Sequence, residues 1–401
     1  EKSAKNNYYQ NNFEKAEQLA YEALRIREKI DGIKSREYAD CLQIIGWIES
    51  DQGRFAQAEH TLKQVLHLNR ELVAEDHPVI VDNMIDLAKL YYQNDSLQIA
   101  EKYFKSSINK TLNLVKHYFP YLYEHHKLEY WDKQKKNLSL FNNFVIDYYQ
   151  ENPEILEDMY DINIATKGLV ASSHKIALEE ARNNPELFEN WRNTREIWIN
   201  LIQNPELAKK MCIDLDSLEQ AAIETEVQIS KNSSQFRKDE NPPDVSWKDI
   251  RNELEKNEAA VEILRFRKYK SDSPDSIFYA ALIIKPRSKY PELVLLRNGS
   301  ALENEYSRKY RNIINEQISG IFNKNEQDKI LQILYTAFWS EIQNRIGNAD
   351  IVYISKEGIY HQINLNTLTD PETGSDLVNI TELRPLVNTK DILDRPAVNT
   401  D

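Results

Sequence analysis

The 401-residue chain is poor in the residues that usually punctuate or cross-link a protein, with 2 cysteines, 9 glycines and 13 prolines. Cys41 and Cys212 stand too far apart to form a disulfide framework or a zinc site. They read as reduced, partly buried thiols of a cytoplasmic protein. Scarce glycine and proline leave room for long uninterrupted helices. No apolar run reaches the ~20 residues that span a bilayer, and no secretory signal opens the chain, so no membrane partner is expected. Long Lys/Arg runs are also missing, and the net charge is −13 with a pI near 5.3. An acidic surface repels phosphate backbones, which leaves nucleic acid as an indirect partner only. Gly-rich phosphate loops, Ser-His-Asp arrangements and clustered metal ligands are absent from the sequence. The expected sets of catalytic residues, metals and cofactors are therefore empty.

The hydrophobic content of 41% suits a globular chain of two or three domains. Its strongest pattern is an internal repeat. Phe13–Glu17, Phe55–Glu59 and Leu97–Glu101 resemble one another. Ala16, Ala58 and Ala100 fall 42 residues apart (58 − 16 and 100 − 58). Each motif follows a polar break: Asn11-Asn12, Asp51-Gln-Gly-Arg54, and Gln93-Asn-Asp95. Apolar helical patterns flank the breaks, such as Leu42, Ile44, Ile45, Trp47 and Ile48 before one, and Ala58, Leu62, Val65 and Leu66 after it. A fixed period of this size predicts a helix–turn–helix solenoid over residues 1–115.

The pattern resembles tetratricopeptide repeats, with Gly46 and Ala58, and Ala88 and Ala100, at the small-residue positions. The period exceeds the usual ~34 residues by about two helical turns. It is similar to the extended repeats of kinesin light chains, whose inter-repeat loop Asp76-His77-Pro78 fits. The resemblance implies a groove that takes a protein or peptide partner. By helical phase the groove positions are Asp40, Gln43, Trp47, Asp82, Ile85 and Lys89, with Tyr92 nearby.

Residues 116–240 read as a helical extension, with helix starts at Asn152-Pro153, Asn184-Pro185 and Asn204-Pro205 and a further amphipathic helix from Asp214 to Gln228. His125 and His126 point about 100° apart on a helix and make a poor shared site. The polar, proline-containing stretch Lys231–Asp244 marks a domain boundary. Beyond it, Ser246 caps a short helix. Ala259–Tyr269, Ser276–Lys285 and Pro291–Arg297 read as strands, the first two as a hairpin. Helical runs follow at Glu303–Ile321 and Gln327–Ile346, then a buried strand at Asp350–Ser355, a Ser-Lys-Glu-Gly turn and a second extended segment to Leu368. Strands that alternate with helices predict an α/β domain over 245–401, so the whole is α plus α/β.

This order of elements resembles the amino-terminal part of a CHAT domain, the caspase-like domain found behind tetratricopeptide repeats in bacteria. The matching residues are Trp247–Ile250, Asn257–Glu262, Tyr279–Leu282, Pro291–Leu295, Val352–Ser355 with Gly358, Gln362–Leu368, and Pro371–Gly374. In that family this region is a pseudo-protease placed before the active unit. The resemblance implies the sensor portion of a cysteine endopeptidase acting on a protein substrate, in a bacterial defence setting. The family's Thr-His-Gly-like and Ser-Ala-Cys-like runs are missing, and Cys41 and Cys212 lie outside the α/β region. His361, the last His, reads as a hydrogen-bonded structural residue, and Asp350, Glu357 and Glu372 as turn formers. The chain is expected to be silent as an enzyme. A standalone adaptor and an amino-terminal product of autoproteolysis are the alternatives.

Overall fold

The computed structural model describes residues 1–75, 77–118, 124–167, 185–203, 205–211, 213–214, 217–218, 220–221, 224, 245–268, 277–296, 299–320 and 323–395. The expected linker at 231–244, Cys212, and most of the helix expected from Asp214 to Gln228 lie outside these residues, as do the side chains of His125 and His126. The chain divides into two units, 1–138 with 176–236, and 139–175 with 237–401.

The first unit is built from helix pairs: α1 (Lys2–Tyr9) with α2 (Phe13–Ile30), α3 (Arg36–Asp51) with α4 (Phe55–Leu72), and α5 (Pro78–Gln93) with α6 (Leu97–Tyr118). Helix α7 (Glu124–Tyr148) follows, its residues from 139 on belonging to the second unit, and α9 (Pro185–Gln203) and α10 (Pro205–Lys210) come later in the chain. The second helices begin at 13, 55 and 97, so the 42-residue period of the sequence is the period of the structure. The turn chemistry repeats too. Asn11, Gly53 and Asp95, again 42 apart, each take a left-handed conformation with φ of 58°, 76° and 55°. Asn and Asp visit this region more readily than other side-chain-bearing residues, so each polar break supplies what its turn demands. Two helix starts are set locally. The Ser35 hydroxyl accepts the Tyr38 amide at α3, and His77 Nδ1 accepts the Val79 amide at α5, where Pro78 fills the first helical position.

Where the paired helices cross, side chains are small. Ala4, Ala88, Ala16, Ala58 and Ala100 are fully buried. Gly46 occupies the position equivalent to Ala4 and Ala88, 42 residues from each. Unlike them it is closed from above: a Cβ there would lie 2.6 Å from Leu62 Cδ2 and 2.8 Å from Leu62 Cγ.

The second unit carries helix α8 (Ile155–Thr166), helix α11 (Trp247–Glu253) and a five-stranded sheet of order β3-β2-β1-β4-β5. Strand β1 (Glu258–Arg267) pairs antiparallel with β2 (Ile277–Ile284), which pairs antiparallel with β3 (Glu292–Leu296). On its other side β1 runs parallel to β4 (Ile351–Ser355), and β4 parallel to β5 (Glu382–Leu386). The expected strands and the buried parallel strand at Asp350–Ser355 are thus present. One face of β1, Ala259, Val261 and Ile263, joins a core with Tyr310, Ile313, Leu334, Phe338, Ile342 and Ile346. Those residues come from α12 (Ser307–Ser319), α13 (Lys324–Phe338) and α14 (Ser340–Ile346). The other face carries Glu258 and Glu262, both buried. Edge strand β5 tolerates Pro385 because the Glu382 amide donates to Asp350. In the parallel register of these strands the odd-numbered residues then turn away from β4, where a missing N–H loses nothing.

Four local expectations are corrected. The run Gln327–Ile346 is two helices, because Trp339 (φ −132°) breaks it, buries its ring completely and donates its indole N–H to Gln343 Oε1 at 2.8 Å. The run from Glu303 opens as a π-helical turn, Leu302–Tyr306, before α12. The segment after Gly358 is not extended: it forms 3-10 turns at Gly358–Gln362 and Leu365–Thr367. Its buried residues, Ile359, Tyr360, Ile363, Leu365 and Leu368, lack the alternation a strand needs, and the Tyr360 hydroxyl anchors the turn on the Phe338 carbonyl at 2.8 Å. Helix α8 starts after Glu154, with Pro153 in the preceding turn rather than in the helix.

The Gly46 contact is testable by a double-mutant cycle in urea. Gly46→Ala gains up to about 1 kcal/mol of helix propensity but overpacks Leu62 by about 1–3 kcal/mol, so a net loss is expected. Leu62→Ala alone should cost about 2–5 kcal/mol, and the pair should cost less than the two added.

Candidate functional site

The first helices α1, α3 and α5 line one face of the repeats, and side chains from successive helices meet there in register. Tyr8 Oη donates to Asp51 Oδ2, Gln43 Nε2 to Asp86 Oδ2, and Ser50 Oγ to Gln93 Oε1, each at 2.6 Å and each across 43 residues. Lys89 Nζ lies 3.7 Å from Asp51 Oδ1. Lys133 of α7 reaches Asp82 at 2.6 Å. Trp47 packs on the Tyr8 ring with centroids 5.6 Å apart and lies under the Lys5 ammonium at 5.4 Å.

All seven positions expected to line a groove therefore come from α3 and α5, the second and third of the first helices. Asp40, Gln43, Trp47, Asp82, Lys89 and Tyr92 are half-buried, whereas Ile85 is only 7% exposed. Sequence reasoning missed Tyr8, Asp51 and Asp86 on the same face. A search for polar pairs one residue beyond the repeat period would have found them.

The electrostatics of this face are uneven. Asp51 and Asp82 each have a lysine partner. Asp86 accepts from the neutral amide of Gln43 and meets Lys89 only through space, and burial pushes its carboxyl up to about 6. Burial, with Glu1 adding repulsion, also raises Asp40.

The turn after β4 was the other place where sequence drew attention. Gly358 has φ +57°, and a Cβ there would lie 2.1 Å from Tyr279 Oη and 2.6 Å from Arg265 Cδ. Tyr279 Oη accepts the Ile359 amide at 2.8 Å and donates to Glu303 Oε1 at 2.7 Å, and Arg265 pairs with Glu303 at 2.6 Å. Glu357 accepts the Arg265 amide at 3.0 Å, with burial raising its carboxyl. Tyr279 and Arg265 thus occupy the space directly over Gly358. His361 is exposed in the 3-10 turn and its side chain makes no hydrogen bond among the described residues, so the hydrogen-bonded role expected for it is not what the structure has. Partial burial, with Lys167 and Lys356, lowers its pKa. Cys41 is wholly buried in α3, and burial pushes its thiol up, away from the thiolate a nucleophile needs. Among the described residues no three His, Cys, Asp or Glu side chains gather as a metal site, and no helix is long and apolar enough to cross a membrane.

Two outcomes are expected. The folded chain holds the Asp86 proton more tightly than the unfolded chain, whose carboxyl titrates near its ordinary 3.8. Stability is therefore gained as pH falls through about 6 and lost as it rises. Asp86→Asn should flatten that dependence and raise the melting temperature at pH 7, as read by calorimetry. Gly358→Ala should destabilise the second unit by about 2 kcal/mol or more in denaturant titration, through positive φ and the clash with Tyr279.

No curated protein matches the chain. Residues 3–71 match the tetratricopeptide repeat family. That match covers α1 to α4, the pairs whose period, turns and small-residue crossings are described above, so this stretch is similar to tetratricopeptide repeats.

Proposed function

We propose that the chain is a protein-binding regulator whose inner repeat face, lined by Asp40, Gln43, Trp47, Asp82, Ile85, Lys89 and Tyr92, receives a segment of a partner protein. The observation that carries the reading is the stacked 42-residue helix pairs, whose first helices present half-buried aromatic and charged side chains on one face. Stacked repeats bury their apolar faces against each other and leave this face to partners.

The finer reading is that the chain is the sensor and pseudo-protease portion of a caspase-like cysteine endopeptidase in bacterial defence. Its support is the resemblance of residues 245–401 to a CHAT domain and the mixed sheet they form. A thiolate–imidazole pair is required for such chemistry, and the turn after β4 is filled instead by Tyr279 and Arg265. The alternative is a non-catalytic adaptor. The reading frame of the encoding DNA past residue 401 separates them: a Thr-His-Gly-like and a later Ser-Ala-Cys-like run favour the endopeptidase.

Panning a displayed peptide library against the full chain tests the binding role. Selected peptides should lose at least about tenfold in affinity, ~1.4 kcal/mol, on Trp47→Ala with Lys89→Ala. They should be indifferent to Glu22→Ala with Glu28→Ala on the exposed side of α2. Peptides unaffected by the first pair would remove the inner face from the proposal. Residues 1–401 should cleave no peptide, and cleavage lost on Cys41→Ala would refute the silent reading.

A further inference from the structure

Four aspartates lie along the first helices α3 and α5, and two of them have a cation. Lys133 meets Asp82 at 2.6 Å, and Lys89 lies 3.7 Å from Asp51. The other two, Asp40 and Asp86, form no ion pair among the described residues. Gln43 Nε2 donates to Asp86 at 2.6 Å, and Lys89 acts on this carboxylate only through space. Arg36 and Lys5 likewise reach Asp40 only through space. Both side chains are half-buried, and burial raises both carboxyls.

The two belong to one patch. Asp40 and Gln43 are three residues apart on α3, and Asp82 and Asp86 four apart on α5, so each pair shares a side of its helix. The Gln43–Asp86 hydrogen bond joins the two sides. Three carboxylates thus fall within about one turn of two adjacent helices, and Lys133 neutralises one of them.

The repeat itself shows that the fold does not require a carboxylate at position 86. One period earlier the same position is Ile44, which is wholly buried. An apolar side chain serves the packing there, whereas a half-buried carboxylate beside a neutral amide costs stability. A charge kept where the fold has a less costly solution points to binding rather than to stability. Asp40 recurs one period on as Asp82, so acidity in that row is part of the repeat as well.

Charge then decides the occupant. A neutral or acidic segment laid on this patch would remove water from Asp40 and Asp86 and return no counter-charge. A cationic side chain supplies it. Guanidinium suits the patch better than ammonium, since it is more weakly hydrated and its planar fork meets two acceptors at once. The net charge of −13 also draws a basic segment from a distance.

We propose that the partner segment received by the inner repeat face is basic, and that an arginine of that segment supplies the counter-charge of Asp86 and Asp40. The inference rests on the reading of the inner face as a partner site and adds the chemistry of its occupant.

Peptides panned from a displayed library on the full chain test it. Those that depend on Trp47 and Lys89 should carry arginine or lysine. For the tightest of them, read by fluorescence anisotropy at low salt, Asp40→Asn with Asp86→Asn should weaken binding at least about tenfold. Replacing the peptide's basic residue by glutamine should cost as much on the unaltered chain and little more on the double variant. Glu22→Gln with Glu28→Gln removes the same charge from the exposed side of α2 and should leave binding unchanged. Should the aspartate pair lower the melting temperature, Asp86→Asn alone serves in the same assay. Inner-face peptides without a basic residue, or basic ones indifferent to the aspartate variants, overturn the inference and leave the binding role standing. Equal weakening by the Glu22 and Glu28 pair also overturns it, since net charge alone would then be read. Selected peptides that all ignore Trp47 and Lys89 remove the inner face as a partner site, and the inference with it.

Discussion

The second unit is organised around a carboxylate that has no access to water. Glu262 sits in the middle of the central strand with its side chain fully buried. An unpaired charge there would cost several kcal/mol, so its surroundings must bring a cation and donors. They do so from far along the chain: Lys167 at the end of α8, and Thr389 after β5. Tyr160, also fully buried, shares a 2.9 Å hydrogen bond with Thr389. Lys167 in turn uses its remaining donors on carbonyls of β1 and β4, so one ammonium ties together a helix end and two parallel strands. The three donors of an ammonium are matched by three acceptors, and the network is closed.

The same principle repeats at Glu258, where Arg395, Tyr353 and the Glu255 amide converge. Burial alone would raise this carboxyl, but those partners outweigh it and hold it below the usual glutamate range. Its contribution to stability is present at neutral pH and lost as pH falls through that lowered value. The polar face of β1 thus fixes where α8, α11 and the last 3-10 helix lie, while the apolar face fixes α12 to α14. In the first unit the corresponding constraint is steric. Residues 4, 46 and 88 and residues 16, 58 and 100 must be small for paired helices to cross, and the polar pairs along the first helices then fall into register.

Much of this was legible beforehand. The 42-residue period, the small positions, the polar turns and the strands of the α/β region are local or periodic signals, and each maps onto an element. The turn after Gly358 was misread because apolar residues at uneven spacing look extended until their burial partners are known. Trp339 was passed over as an ordinary helical residue, since its break is imposed by a core that buries the whole ring. Of the candidate site, helical phase supplies the positions on α3 and α5. The partners of Gln43, Lys89 and Asp82 were not legible, because each lies in another helix and is chosen by crossing geometry.

The sequence by itself determined the repeat and its turns, because a left-handed residue or a small crossing residue is required wherever the backbone makes the same move. It also determined the strands, through runs of buried apolar residues. Only the tertiary structure decided what the charged residues do. Glu262 and Glu258 look like ordinary polar positions of a strand, and Lys167, Thr389 and Arg395 like surface residues of distant segments. Their roles follow from pairings across 95, 127 and 137 residues, which no local pattern encodes.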